Sequence, residues 1–179
     1  MRVLADARAG VPTHRPGLIM LRRLLHLVIA AFALAAGSAR AAELTPYNLG
    51  DWARIQQANA GKPYVVHFWG MTCGPCVDEL PQWSDYLKRH SDLHVVFVEV
   101  DEVPAPVVTR VMHDAGLDRA DQRALSVSFD EYVRHEIDPR WMGELPATML
   151  VDRAGHAQRI MGAMDFGQLQ AWESKASVR

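Results

Sequence analysis

Cysteine is nearly absent from this chain: its 179 residues contain two. So few cannot staple a disulfide scaffold. With no second Cys-x-x-Cys, they cannot complete a four-thiolate zinc site either. Charge of one sign is not in excess, since 19 Lys and Arg stand against 21 Asp and Glu for a formal net charge of -2. That balance offers no electrostatic footing for nucleic acid or an anionic membrane. Long apolar runs are missing too, the most apolar stretch being shorter than the ~20 residues a membrane span usually needs. There is no repeat at solenoid spacing and no low-complexity tract. Lys and Arg are missing altogether between residues 63 and 87. What remains, 49% hydrophobic and 22% charged, suits a single domain with a sizeable core.

The N-terminal stretch has the layout of a secretory signal. Arg22 and Arg23 precede LLHLVIAAFALAAG, residues 24 to 37, and small residues follow; a basic flank, a short apolar run and a small-x-small end are its three parts. Ala39-Arg40-Ala41 places the cut after Ala41, leaving a domain over 42–179. An uncleaved membrane anchor is the alternative. Asp6, Pro12 and Pro16 are foreign to such a signal, whereas Met20 opens an ordinary one, so the true start is expected at Met20. The exported protein would meet conditions in which disulfides persist, and this layout points to the bacterial periplasm.

Hydrophobic periodicity and breaker residues divide the rest. Helices are predicted over 51–62, 74–90, 105–116, 128–137 and 165–176, with Asp165 as an N-cap. Pro75 suits a first helical turn, and Pro81 is expected to kink the helix that contains it. Strands are predicted over 63–69 and 93–100, and a hairpin over 147–152 and 157–164. The order α, β, α, β, α, α, β, β, α predicts an α/β sandwich, one mixed sheet with helices on both faces.

Both cysteines lie in HFWGMTCGPCVDELP, residues 67 to 81. The spacing alone allows a redox pair, half of a metal site or a staple. A staple across two residues closes almost no loop and would stabilise little. Half a zinc site needs further ligands, and the eight histidines are scattered. A redox pair fits best. Cys73 falls at a helix start, where the positive end of the macrodipole favours thiolate, and Cys76 falls one turn in, placed to resolve an adduct at Cys73. Gly74 and Pro75 let the loop close between them.

The segment FWGMTCGPCVDELP resembles the active site of the thioredoxin superfamily, and CVDELP is most similar to its exported TlpA/ResA/CcmG-like branch. GELPATMLVDRAGH, residues 143 to 156, resembles the cis-proline strand and hairpin of the same superfamily. The resemblance covers residues 44 to 175 and implies a thioredoxin fold, thiol-disulfide exchange without a bound cofactor, and Pro146 as a cis-proline offering backbone groups to a substrate peptide, as in strand addition. Three departures stand out. Thr72 replaces the usual tryptophan, His67 stands where thioredoxin has a buried Asp, and 101–127 matches nothing in the family pattern.

Other residues have two readings each. Glu79 could move protons at the resolving thiol or be a solvated helix residue. His67 could accept a proton or be a satisfied strand histidine. Trp69 could shield the disulfide or simply fill the core. The expectation is an extracytoplasmic oxidoreductase that reduces disulfides in exported proteins, with cytochrome c maturation as one pathway the family implies. A transmembrane dithiol carrier of the DsbD/CcdA type would supply electrons. The rival is a metallochaperone or peptide-binding module on the same fold. Reduction is favoured because the intervening dipeptide is neutral and Asp78 and Glu79 follow the pair, and like charge disfavours a thiolate.

Overall fold

The strands that hold the molecule together are those buried on both sides. In the computed structural model, which describes residues 43–176, Tyr64–Trp69 (β2) and Ala147–Val151 (β5) are buried at every position, and His94–Glu99 (β3) at every position after His94. Near-continuous apolar runs of this kind mark central strands covered by helices. The flanking strands are Thr45–Tyr47 (β1), Asp121–Leu125 (β4) and Ala157–Met161 (β6), in the order β1-β4-β3-β2-β5-β6. The first four are mutually parallel, while β5 runs antiparallel to β2 and β6 to β5. The signal segment 1–41 and the start at Met20 lie outside the described residues. Among the described residues no helix is long and apolar enough to cross a membrane.

Alternation along the strands sorts the core into two layers. Tyr64, Val66 and Phe68 of β2 pack with Trp52 and Ile55 of Asp51–Ala58 (α1) and with Val133 and Ile137 of Glu131–Ile137 (α4). Val65 and Trp69 face the other way. They join Cys76, Leu80 and Trp83 of Gly74–Arg89 (α2), Val108 and Met112 of Ala105–Asp114 (α3), and Leu169 of Phe166–Ala176 (α5).

Caps set several helix ends. Asp130 Oδ1 accepts the N–H groups of Tyr132 and Val133 at 3.0 and 3.1 Å, and Asp165 Oδ1 those of Gly167 and Gln168 at 2.8 and 3.2 Å. Gly116 follows α3 at φ +77°, and a Cβ there would lie 2.8 Å from Ser84 Oγ, so this turn needs glycine for both conformation and space.

The structure corrects the sequence reading at several points. Two strands were not predicted, β1 and β4, and β4 lies within the stretch 101–127 that matched nothing. Helix α1 stops at Ala58, because the Asn59 side chain donates to Ile55 O at 2.9 Å and the chain turns. Helix α4 starts at Glu131, not residue 128, where Asp130 caps it. Strand β6 ends at Met161, ahead of Gly162 at φ +82°.

Candidate functional site

Cys73 is the N-cap residue of α2 in extended conformation, and its carbonyl accepts the N–H groups of Cys76 and Val77 at 3.0 and 3.2 Å. A side-chain oxygen at this position would ordinarily accept an N–H of the first turn. Here the side chain carries sulfur and makes no cap hydrogen bond, and the helix dipole favours it as thiolate. Pro75 sits in the first turn, where its missing N–H has no partner to lose. The two cysteines form a disulfide. Cys73 is half-buried and Cys76 has no exposed surface, so an incoming sulfur can reach only Cys73. Gly74 and Pro75 are exposed around it.

Glu79 is not a solvated helix residue. It is 2% exposed, and both of its oxygens are engaged. Oε2 accepts the Met164 N–H at 2.9 Å, and Oε1 lies 3.4 Å from Trp83 Nε1 and 3.0 Å from Nε2 of His67. The His67 contact lies off the line of a directed hydrogen bond, so it acts chiefly through charge and dipole. The other ring nitrogen, Nδ1, is 3.0 Å from Thr148 Oγ1 on β5. His67 and Thr148 are fully buried and are register partners across the β2–β5 ladder. A carboxyl, an imidazole and a hydroxyl thus form a chain beneath the helix that carries Cys76, tying α2 to the sheet. The His67 ring also packs against Trp83 and Phe97, at centroid distances of 5.0 and 5.7 Å.

Two acidic residues that sequence reading passed over, Glu99 and Asp101, lie under the turn that leads into Cys73. Asp101 Oδ2 accepts the Thr72 N–H at 2.7 Å. Glu99 Oε1 accepts the Asp101 N–H at 2.9 Å, and its Oε2 is buried without a hydrogen-bond partner. The Val100 N–H reaches Trp69 O at 3.0 Å. Gly70 leaves the space this needs, since a Cβ there would stand 3.0 Å from Asp101 Oδ2. Burial pushes the Glu99 carboxyl up to about 7, and the Asp101 charge adds to this against the pull of the Asp101 and Met71 N–H groups. The apolar letters around Glu99, VVFVEV, concealed it. The one available signal was a carboxylate at a position whose neighbours are all core.

Trp69 is 1% exposed and belongs to the same apolar cluster as Cys76, with Cys73 packed against its edge. The Leu145–Pro146 peptide bond is cis, and Pro146 opens β5 beside β2. Among the described residues no three His, Cys, Asp or Glu side chains gather to hold a metal ion.

No family model matches the chain. Over 120 residues it is 26% identical to sporulation thiol-disulfide oxidoreductase A of Bacillus subtilis, covering 66% of this chain and 70% of that protein. Over 117 residues it is 25% identical to thiol-disulfide oxidoreductase ResA of Bacillus anthracis, covering 64% of each. Among solved structures it is similar to a thiol:disulfide interchange protein of the thioredoxin family from Chlorobium tepidum, with a TM-score of 0.56 and 18% identity over 68% of this chain and 83% of the other. The arrangement of strands and helices is the thioredoxin fold, and these curated relatives are thiol-disulfide oxidoreductases.

Proposed function

We propose that this thiol-disulfide oxidoreductase of the thioredoxin fold reduces disulfides of exported proteins outside the cytoplasm, with Cys73 as its attacking thiol. The observation that carries the assignment is the contrast within the pair, a half-buried sulfur at the N-cap of α2 against one with no exposed surface. In the reduced protein the Cys73 thiolate attacks one sulfur of the substrate disulfide. A Cys73–substrate bond forms, the substrate bond breaks, and the departing sulfur takes a proton. Cys76 then loses its proton and attacks the Cys73 sulfur, releasing the second substrate thiol and restoring the internal disulfide. Glu79, three residues beyond Cys76 on the same helix face, is the group proposed to take that proton, with His67 and Thr148 holding it in place. Pro146 has no free backbone group to offer, since its carbonyl accepts the Gly162 N–H at 2.9 Å and β5 is paired on both sides, so the segment just before the cis bond is the proposed place for a substrate chain. Two electrons leave the protein per cycle, so a transmembrane dithiol carrier of the DsbD/CcdA type is the proposed donor, and cytochrome c maturation a candidate pathway.

The reducing direction is supported by the acidic surroundings of the pair. Besides Asp78, Glu99 and Asp101 lie near the turn before Cys73, and like charge weakens the stabilisation of a thiolate. A less stabilised reduced form has a more negative potential. Equilibration with glutathione buffers is expected to give a value nearer to thioredoxin's, about -270 mV, than to that of the strong oxidant DsbA, about -120 mV. A value above about -180 mV, the level of protein disulfide isomerase, would overturn the direction of electron flow. Location is tested separately. N-terminal sequencing of the exported protein is expected to begin at Ala42, and retention of residues 24 to 37 would make the enzyme membrane-tethered.

A further inference from the structure

We infer that Glu99, seconded by Asp101, is a tuning residue of the dithiol: a carboxyl group fixed under the 70–72 turn that opposes negative charge on Cys73. The inference rests on the reading of Cys73 as the attacking thiol. Three observations carry it. Glu99 is fully buried, yet Oε2 has no hydrogen-bond partner, an arrangement that packing alone does not call for, since an unmatched buried polar atom destabilises a fold. The carboxylates are coupled to the turn through backbone, Glu99 to the Asp101 N–H and Asp101 to the Thr72 N–H, and Thr72 directly precedes the nucleophile. Finally, a Cβ at Gly70 would stand only 3.0–3.2 Å from the Asp101 carboxylate, so the acidic pair and the turn are closely packed.

Beyond the pull of the Asp101 and Met71 N–H groups, no positive side chain among the described residues pairs with Glu99. Its register partners, Trp69 on β2 and Ala124 on β4, are uncharged. Arg123 on β4 is occupied by Asp121 at 3.2 and 3.3 Å. Glu102, on the following loop, receives the Ser128 hydroxyl at 3.2 Å. Asp101 adds charge of the same sign. A proton on Glu99 therefore leaves Asp78 and Asp101 as the carboxylates near Cys73, and loss of that proton adds a further negative charge against the thiolate. Because the Glu99 carboxyl is pushed up to about 7, the opposition switches on across neutral pH. The equilibrium affected is disulfide plus two glutathione going to dithiol plus glutathione disulfide, in which two electrons and two protons pass to the Cys73–Cys76 pair.

The test compares wild type with Glu99→Gln at pH 5.5 and pH 8, measuring the glutathione equilibrium constant and the rate of Cys73 alkylation by iodoacetamide, with the labelled cysteine identified by mass spectrometry. At pH 8 the variant is expected to shift the equilibrium about threefold or more towards dithiol and to lower the apparent pKa of Cys73, because a like charge has been removed. At pH 5.5, where Glu99 is protonated in the wild type, the two proteins are expected to agree. Equal values at both pH, or the same offset at both, would overturn the inference, since a purely structural role carries no such pH signature. If Glu99→Gln does not fold, the wild-type alkylation profile decides. Coupling to Glu99 spreads the Cys73 titration over two steps, and a single-site curve overturns the inference. Label on Cys76 in place of Cys73 would instead overturn the assignment of the attacking thiol.

Discussion

Cys76→Ser protein, reduced and mixed with an oxidised substrate such as insulin, accumulates a covalent adduct through Cys73, whereas Cys73→Ser forms none. The expected asymmetry follows from access and from position in the helix. Cys76 is fully buried one turn inside α2, and Cys73 is half-buried at its N-cap. A thiolate at a helix N-terminus gains up to about 2 kcal/mol where partly buried, so Cys73 is both the more reachable and the more ionised sulfur. Once Cys76 is gone, nothing is placed to break the mixed disulfide, and the adduct persists. Catalytic insulin reduction falls by about a thousandfold or more in either variant, as when one member of a catalytic unit is removed. Non-reducing electrophoresis checks the adduct and turbidity the turnover. An adduct formed by Cys73→Ser and absent from Cys76→Ser would reverse the assignment.

The second large effect concerns the buried chain of Glu79, His67 and Thr148. His67→Ala is expected to cost about 3–5 kcal/mol, the range for deleting a large buried ring, and it leaves a buried carboxyl oxygen short of a partner. It removes a ring packed against Trp83 and Phe97 and leaves Glu79 Oε1 with a single contact at 3.4 Å. Single domains have only about 5–15 kcal/mol in all, so the loss is conspicuous in urea melts. Replacing both partners by apolar residues, His67→Leu with Glu79→Met, is expected to recover most of it, because the uncompensated buried carboxyl is then gone. Activity separates structure from chemistry. If Glu79 takes the Cys76 proton, the double variant remains slow by about a hundredfold in single-turnover resolution although its fold is restored, the lower range of general-base contributions. Full activity in the stable double variant would leave Glu79 as a strut between α2 and the loop at Met164.

Local chemistry was legible in the sequence, and chemistry assembled across space was not. Phe68 to Pro81 reported the strand end, the turn and the helix start in contiguous letters, so the place of Cys73 at the helix start and the deeper burial of Cys76 could be read directly. His67 and Glu79 lie on different elements, and no periodicity links a strand residue to the helix residue that meets it. The sequence therefore left Glu79 between a proton-moving role and a solvated helix residue, and the structure buries it. Glu99 was lost for the opposite reason, because a run as apolar as VVFVEV reads as core and its single acid as an incident. Strand β4, DQRAL, has neither alternation nor β-branched residues. It is a strand because β3 and β1 offer it backbone partners on both sides, a tertiary effect that overrides propensity. β1 is only three residues long and is ordered by pairing with β4.

The division of the core by the sheet has a consequence for how such a protein can change over generations. Strand alternation puts Trp69, His67 and Glu99 on the face under α2, α3 and α5, where Cys76 and Glu79 of α2 also lie, while Trp52, Ile55, Val133 and Trp141 fill the other. Substitutions in the second layer are answerable to packing alone, and volume-conserving ones are tolerated best. The sheet thus insulates two kinds of history from each other. Volume-conserving substitutions on one side are expected to leave the disulfide undisturbed, whereas changes on the other alter the electrical surroundings of the sulfurs.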